Sequence, residues 1–309
     1  MYRLPMNNNT SLLIIPSIIL LGLISLLPAK TIEQKNITGV VASLEINQLP
    51  IPDIQARAAL VVDFENSNIL FEKNSKEALP LASLTKIISA LVIEDNSQPD
   101  DFVRISKQAV ETDGASRLKI GEYFAVKDLL AMAMIESSND SISALVEFVA
   151  TKQNIVPKYS EIWFTNLMRQ KALSLGAENM IFNNPTGLDV STTTAGGYGS
   201  VENIIQIAQK SYSSNIWRFS SAQRIISQEG RIHTLYTTNI LEGDITQLVG
   251  SKTGFTDVAG GNLLVLFEYP INHPKAIVVL GSTSQGRFDD VKTLFDYVKK
   301  YSTINHAIE

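Results

Sequence analysis

Strand-length apolar stretches stand near both ends of the chain with a long helix-patterned block between them. That order constrains the fold more than any other feature of the 309 residues. Arg57 to Phe64, the turn residues Asn66-Ser67-Asn68, and Ile69 to Glu72 read as a β-hairpin, two apolar runs around a turn. Ala82 to Glu94 follows with apolar residues at helical spacing. Val126 to Ile135 and Asp140 to Ala150 predict two helices broken at Ser137-Ser138-Asn139, and Ser160 to Leu175 and Val201 to Tyr212 predict two more. Leu248 to Gly254, Gly261 to Tyr269 and Lys275 to Ser282 then read as strands, and Phe288 to Tyr301 as a closing helix. This order implies an α+β fold, an antiparallel sheet flanked by helices plus a helical subdomain.

Composition narrows the chemistry. Net charge is −5, from 26 basic and 31 acidic side chains, with no basic cluster, so no nucleic acid partner is expected. The absence of cysteine excludes disulfides, thiolate zinc sites, a cysteine nucleophile and a lipid-anchored cysteine. The histidines, His233, His273 and His306, are scattered and lie in no motif. Neither a metal nor another cofactor is therefore expected, and a serine enzyme built on this chain would use some base other than histidine.

Residues 11–28 carry no charge and are dominated by Leu and Ile, between Arg3 and Lys30. The run is longer than most signal-peptide cores and slightly short for a full span, and Leu27-Pro28-Ala29 fits a cleavage site poorly. It reads as an uncleaved signal anchor, with a cleaved signal peptide as the alternative. Either delivers the remainder across a membrane. Residues 31–54 are polar, carry Pro50 and Pro52 near their end, and read as a linker.

Three short motifs occur in order: Ser83-Leu84-Thr85-Lys86, Ser137-Ser138-Asn139 and Lys252-Thr253-Gly254. Two have decoys, Ser116-Arg117-Leu118-Lys119 and Ser213-Ser214-Asn215, so context must separate them. Ser83 opens an apolar helix, which sets Lys86 one turn on over the same face, within reach of the hydroxyl. The helix N-terminus there also favours developing negative charge. Ser116 sits in a polar stretch with no helix start, and Ser213 follows a helix end. Lys252-Thr253-Gly254 falls on a predicted strand, where Gly254 would let another backbone lie close.

The ordered set is that of penicillin-binding proteins and β-lactamases. Beyond it, the chain resembles the serine D-alanyl-D-alanine carboxypeptidase family over roughly residues 55–300. The match runs through Ala56 to Asp63, Leu81-Ala82-Ser83-Leu84-Thr85-Lys86, Ser138-Asn139-Asp140, Asn184-Pro185-Thr186-Gly187-Leu188-Asp189, Thr238-Asn239 and Gly250 to Thr256. The resemblance implies a β-lactamase/transpeptidase-like catalytic domain at 55–302, after a targeting segment at 1–30 and the linker at 31–54, with a tail at 303–309. It implies an extracytoplasmic enzyme that trims peptidoglycan stem peptides, influences cell shape, and is acylated by β-lactams.

Residue by residue, the resemblance implies Ser83 as nucleophile and Lys86 as base, the latter kept partly neutral by burial and by Lys252. Ser137 would relay a proton to the leaving amine. Asn139 would bond the substrate amide or position Lys86. Backbone N–H groups of Ser83 and Phe255 would form the oxyanion hole. Lys252 and Thr253, beside Gly254, would bind the substrate's terminal carboxylate. Arg287 is a further candidate on the carboxylate side, its alternative being a solvated helix-start arginine. Asp140, Asn184 and Asp189 read as structural, Asp140 capping or supporting a helix start and the other two belonging to turns.

Two departures stand out. Family members often carry a C-terminal β-domain ending in an amphipathic membrane helix; none is visible here, so membrane attachment is expected from the N-terminal run. Where the family often has Ser-x-Ala-Arg-Asp, this chain has Gly199-Ser200-Val201-Glu202-Asn203. Other readings remain. A DD-endopeptidase would use the same residues. A class A β-lactamase would need a Glu with an Asn four residues later between Asn139 and Lys252, and the pair Glu268 and Asn272 lies after the third motif. A non-catalytic penicillin-binding sensor would not need the complete set.

Overall fold

The computed structural model describes residues 49–111, 117–218 and 222–306; the apolar run at 11–28 and the decoy Ser116 lie outside them. Five strands build the main antiparallel sheet: β1 (Ala58–Asp63), β2 (Ile69–Lys73), β3 (Leu248–Thr256), β4 (Gly260–Glu268) and β5 (Pro274–Ser282). Their spatial order is β3-β4-β5-β1-β2, so the first strand pairs with the last. Ala58 faces Leu280 and Asp63 faces Lys275. A 2.6 Å ion pair closes that last rung almost out of solvent.

Side chains alternate across a strand, and here the alternation divides the interior in two. Leu60, Val62, Leu264, Leu266, Val278 and Leu280 point into the helical block. Val61, Leu263, Val265, Phe267, Ile277 and Val279 point to the opposite face. That face is covered by α6 (Gly286–His306), which supplies Phe288, Val291, Leu294, Phe295 and Val298 at helical spacing. With both faces covered, a strand such as β4 reads Leu-Leu-Val-Leu-Phe at 263–267 rather than alternating with polar residues.

The helical block contains α1 (Thr85–Asn96), α2 (Val126–Ile135), α3 (Asn139–Lys152), α4 (Ser160–Ser174) and α5 (Val201–Lys210). In α1 every residue from Thr85 to Ile93 is buried, which makes it the central helix. The expected helix start at Ala82 is a 3-10 turn, Ala82–Leu84, that leads into α1. Short paired strands that periodicity did not reveal also occur. Leu79–Pro80, Gly197–Gly199 and Ile181–Phe182 form one set, Phe102–Arg104 pairs with Tyr123–Ala125, and Arg224–Ile226 pairs with Ile232–Thr234. Two or three residues are too few to show a period.

The departure at residues 199–203 has a local role. Ser200 caps α5 by accepting from the Asn203 N–H while Asn203 accepts from the Ser200 N–H, a reciprocal capping box.

Candidate active site

Ser83 lies in the turn that feeds α1, and the entry is tight: Ala82 sits at φ 47°, in the left-handed region. One turn on, Lys86 is fully buried. Its Nζ lies 2.9 Å from Ser83 Oγ, 2.6 Å from Asn139 Oδ1 and 2.6 Å from the Thr186 carbonyl. As an ammonium it donates all three bonds. As a neutral amine it can donate to Asn139 and Thr186 and accept the Ser83 hydroxyl proton on its lone pair.

A second serine–lysine pair faces the first. Ser137 occupies the turn between α2 and α3 at φ 62°. Lys252 reaches it from β3, Nζ donating to Ser137 Oγ and to the Thr253 carbonyl, each at 2.8 Å. Lys252 is 1% exposed. Burial first, then the charges of Lys86 and Arg287, push its ammonium well below the usual lysine range. Beside it the Thr253 hydroxyl meets that of Thr238 at 2.6 Å. The turn holds its shape because Ser138 caps α3, accepting from the Ser141 N–H at 3.1 Å. Asp140 sits in that first turn, where a negative charge favours the helix start, and the cap itself is Ser138.

Gly254 brings β3 against the turn that carries Ser83. A Cβ there would stand 3.0 Å from the Leu81 carbonyl and 3.1 Å from the Ser83 nitrogen. Arg287 is not a solvated helix-start arginine. Its Nη1 donates to the Gly254 carbonyl at 2.6 Å, and its guanidinium lies over the rings of Phe255 and Phe288. Phe255 itself is about half exposed, at 48%. Among the described residues, neither Lys252 nor Arg287 has a carboxylate partner.

The loop after Phe182 supplies what residue patterns did not show. The Thr186 carbonyl fixes Lys86, and Gly187 at φ +81° packs so tightly on the nucleophile turn that a Cβ would lie 1.9 Å from the Ala82 carbonyl. Asn184 shapes this loop from within, its Oδ1 accepting from the Gly187 N–H at 2.7 Å and its Nδ2 donating to the Leu188 carbonyl at 2.8 Å. Asp189 ties the loop to β3, accepting from Thr256 Oγ1 at 2.9 Å and from the Val258 N–H at 3.1 Å. Both act as supports. The decoy at residues 213–215 is engaged elsewhere. Ser214 Oγ and the Asn215 N–H bond Glu94, in the last turn of α1. Glu268 and Asn272 close the turn between β4 and β5, away from these groups.

What these side chains can do together is serine acyl transfer with lysine as the base, on a sheet edge able to receive an extended anionic ligand. The D-alanyl-D-alanine carboxypeptidase family matches residues 45–284, and the chain belongs to that family. It is 30% identical over 260 residues to the D-alanyl-D-alanine carboxypeptidase DacF of Bacillus subtilis, covering 81% of this chain and 64% of that protein. It is 27% identical over 236 residues to the D-alanyl-D-alanine endopeptidase of Escherichia coli, covering 74% and 72%. The chain thus spans a little under two thirds of the carboxypeptidase relative. Among solved structures, penicillin-binding protein D2 of Listeria monocytogenes in its ampicillin-bound form superposes with a TM-score of 0.64 at 25% identity, over 80% of this chain and 98% of that one. A D-alanyl-D-alanine carboxypeptidase of Mycobacterium tuberculosis gives 0.69 at 21%, over 81% and 93%, and shares the fold.

Proposed function

We propose that the chain is a serine D-Ala-D-Ala carboxypeptidase that removes the terminal D-alanine from peptidoglycan stem pentapeptides. The observation that carries this reading is the Ser83–Lys86 hydrogen bond beside Lys252 and Arg287, two cations without a carboxylate partner among the described residues. A site with that field suits a substrate whose scissile bond stands next to a free carboxylate. Ser83 Oγ attacks the penultimate alanine carbonyl while Lys86 takes its proton. Ser137 then passes a proton to the departing amine and is reprotonated through Lys252. Water attacks the ester and releases Ser83. Coulomb repulsion acts on both buried lysines, so the pair sheds one proton more readily than either would alone. Asn139 orients Lys86 and bonds the substrate amide, and the Ser83 and Phe255 N–H groups stabilise the oxyanion. Thr253 and Lys252 hold the carboxylate, with Arg287 fixing β3 behind them.

In this reading residues 1–30 target the chain, 31–54 tether it, and 55–302 work outside the cytoplasmic membrane, with the run at 11–28 as anchor. Mature protein that begins beyond residue 28 and fractionates as soluble would replace the anchor by a cleaved signal. β-Lactams would acylate Ser83 as substrate mimics, consistent with the ampicillin-bound form of the Listeria relative. The E. coli endopeptidase relative favours a second reading, cleavage of peptide cross-links by the same residues. Incubation with a free-acid pentapeptide, its C-terminal amide and a cross-linked dimer separates them. Release of D-alanine from the free acid alone is expected. Equal rates on acid and amide, or preferential splitting of the dimer, would move the assignment to the endopeptidase.

A further inference from the structure

The hydroxyl pair Thr238–Thr253 has a direction that the fold leaves open. Thr238 Oγ1 lies 2.6 Å from Thr253 Oγ1 and 3.2 Å from the carbonyl of Ile135, the last residue of α2. A hydroxyl has one proton to donate, so the pair admits two arrangements. In the first, Thr238 donates to Ile135 and Thr253 donates to Thr238, which leaves Thr253 only lone pairs for a ligand. In the second, Thr238 donates to Thr253, and the Thr253 proton is left for a ligand. The Ile135 carbonyl keeps the Thr238 N–H at 3.1 Å in both, so the second arrangement orphans no acceptor. Thr253 is buried and Thr238 half-buried. The segment is pinned on two sides. Asn239, the next residue, is buried, and its Nδ2 donates to Ser251 Oγ on β3 at 3.0 Å while its Oδ1 accepts from the Leu241 N–H at 3.1 Å. Thr238 is thereby fixed between the strand that carries Lys252 and Thr253 and the helix end that precedes Ser137.

We propose that Thr238 is a positioning residue that turns the Thr253 proton toward a negatively charged ligand by donating to Thr253 from behind. The proposal rests on the reading above that Lys252 and Thr253 hold the substrate's carboxylate, and it adds a residue that acts through Thr253. A carboxylate only accepts hydrogen bonds, so its arrival selects the second arrangement. Two hydroxyls in series ending on an anion polarise one another, which strengthens both bonds. An ester carbonyl in the same place accepts a neutral bond, roughly half as strong, and selects between the arrangements less sharply. Without the Thr238 hydroxyl, nothing behind Thr253 directs its proton, and the lone pair that accepted from Thr238 loses its donor.

The test follows acylation of the full chain by a penicillin with its carboxylate free and by the methyl ester of the same penicillin. The wild type is expected to react faster with the acid. Thr238→Val keeps the side-chain shape and removes the hydroxyl. It should lower the second-order rate on the acid about five- to tenfold, the difference between a hydrogen bond to a charged group and one to a neutral group. The ester rate, which also reports that the site is folded, should change by less than about twofold. Thr238→Ser should bring the acid rate back to about the wild-type value. In a Thr253→Val background, Thr238→Val should leave the acid-to-ester ratio where Thr253→Val alone puts it, because the group it acts through is gone. An unchanged acid rate in Thr238→Val overturns the proposal. So do acid and ester rates that fall together, a loss in Thr238→Ser equal to that in Thr238→Val, and a loss that persists in the Thr253→Val background. Equal rates of the wild type on acid and ester would overturn the carboxylate reading itself and the proposal with it.

Discussion

A lysine that is 1% exposed, next to a second buried lysine, keeps its proton only against desolvation and repulsion. In the proposed mechanism acylation through Lys86 needs the neutral amine, so its rate should rise with pH along an acid limb. Lys252→Ala removes a positive neighbour and admits water, and both changes favour a protonated Lys86. The limb should therefore move to higher pH, and acylation by D-Ala-D-Ala peptides should slow by about 10- to 150-fold through loss of one charge-assisted hydrogen bond. Stopped-flow acylation across pH checks this; superimposable limbs in wild type and variant would remove Lys252 from the base's environment. Ser83→Ala should abolish penicillin labelling while Ser116→Ala retains it, as a labelled-band assay on the full chain would show. At this scale the site was legible where chemistry depends on side-chain type and spacing. Ser83 with Lys86, and Ser137 with Asn139, were legible only through context, because each spacing recurs elsewhere in the chain, and Lys252 stands in a distinctive triplet. Thr186 was not legible, because it contributes a carbonyl that every residue possesses. Arg287 was ambiguous for another reason: its partner is the Gly254 backbone 33 residues earlier.

Helices and strands of nine or more residues were visible from periodicity, and their observed ends lie within a few residues of the expected ones. The short pairings around residues 79–80, 181–182 and 197–199 depend on partners far along the chain and carry no local pattern. Their importance lies in support. Gly197 and Gly187 both crowd the Thr85 side chain at the start of α1, and Gly187 also meets the Ala82 backbone, so the loop at 184–197 packs directly on the turn that carries Ser83. Gly187→Ala would meet both an unfavourable φ and the Ala82 carbonyl, and it should lower stability by about 2 kcal/mol or more and reduce penicillin acylation with it. Ser200→Ala offers the contrast. Loss of the α5 cap should cost about 1 kcal/mol with the labelling rate unchanged, since that helix start touches none of the catalytic groups. Chemical denaturation and labelling kinetics on the two variants would decide whether loop and cap differ in this way; a labelling defect in Ser200→Ala equal to that in Gly187→Ala would contradict it.

Across the whole domain, one buried carboxylate links the start of the fold to its end. Asp290 on α6 accepts from the Gln55 and Ala56 N–H groups at 2.8 and 2.9 Å and from Ser282 Oγ at 2.6 Å. Asp290→Asn replaces one acceptor oxygen with a donor that faces other donors, and should lower stability by about 2–3 kcal/mol. An unchanged urea midpoint would show that these bonds contribute little. The antiparallel sheet and its helical cover could be inferred from element order, whereas the strand order could not, since hydropathy does not say which edges meet. That order has a temporal meaning. The rung that joins β1 to β5 spans 212 residues, and Lys252 lies 169 positions beyond Ser83 in the sequence, 252 minus 83. A chain threaded through a membrane from its N-terminus would deliver Ser83 first and hold β1 paired with β2 alone, without β5, until almost the whole polypeptide had crossed. Loop closure over such separations would make the sheet slow to assemble. Under the proposed export, catalytic competence would then wait until nearly the whole polypeptide had crossed.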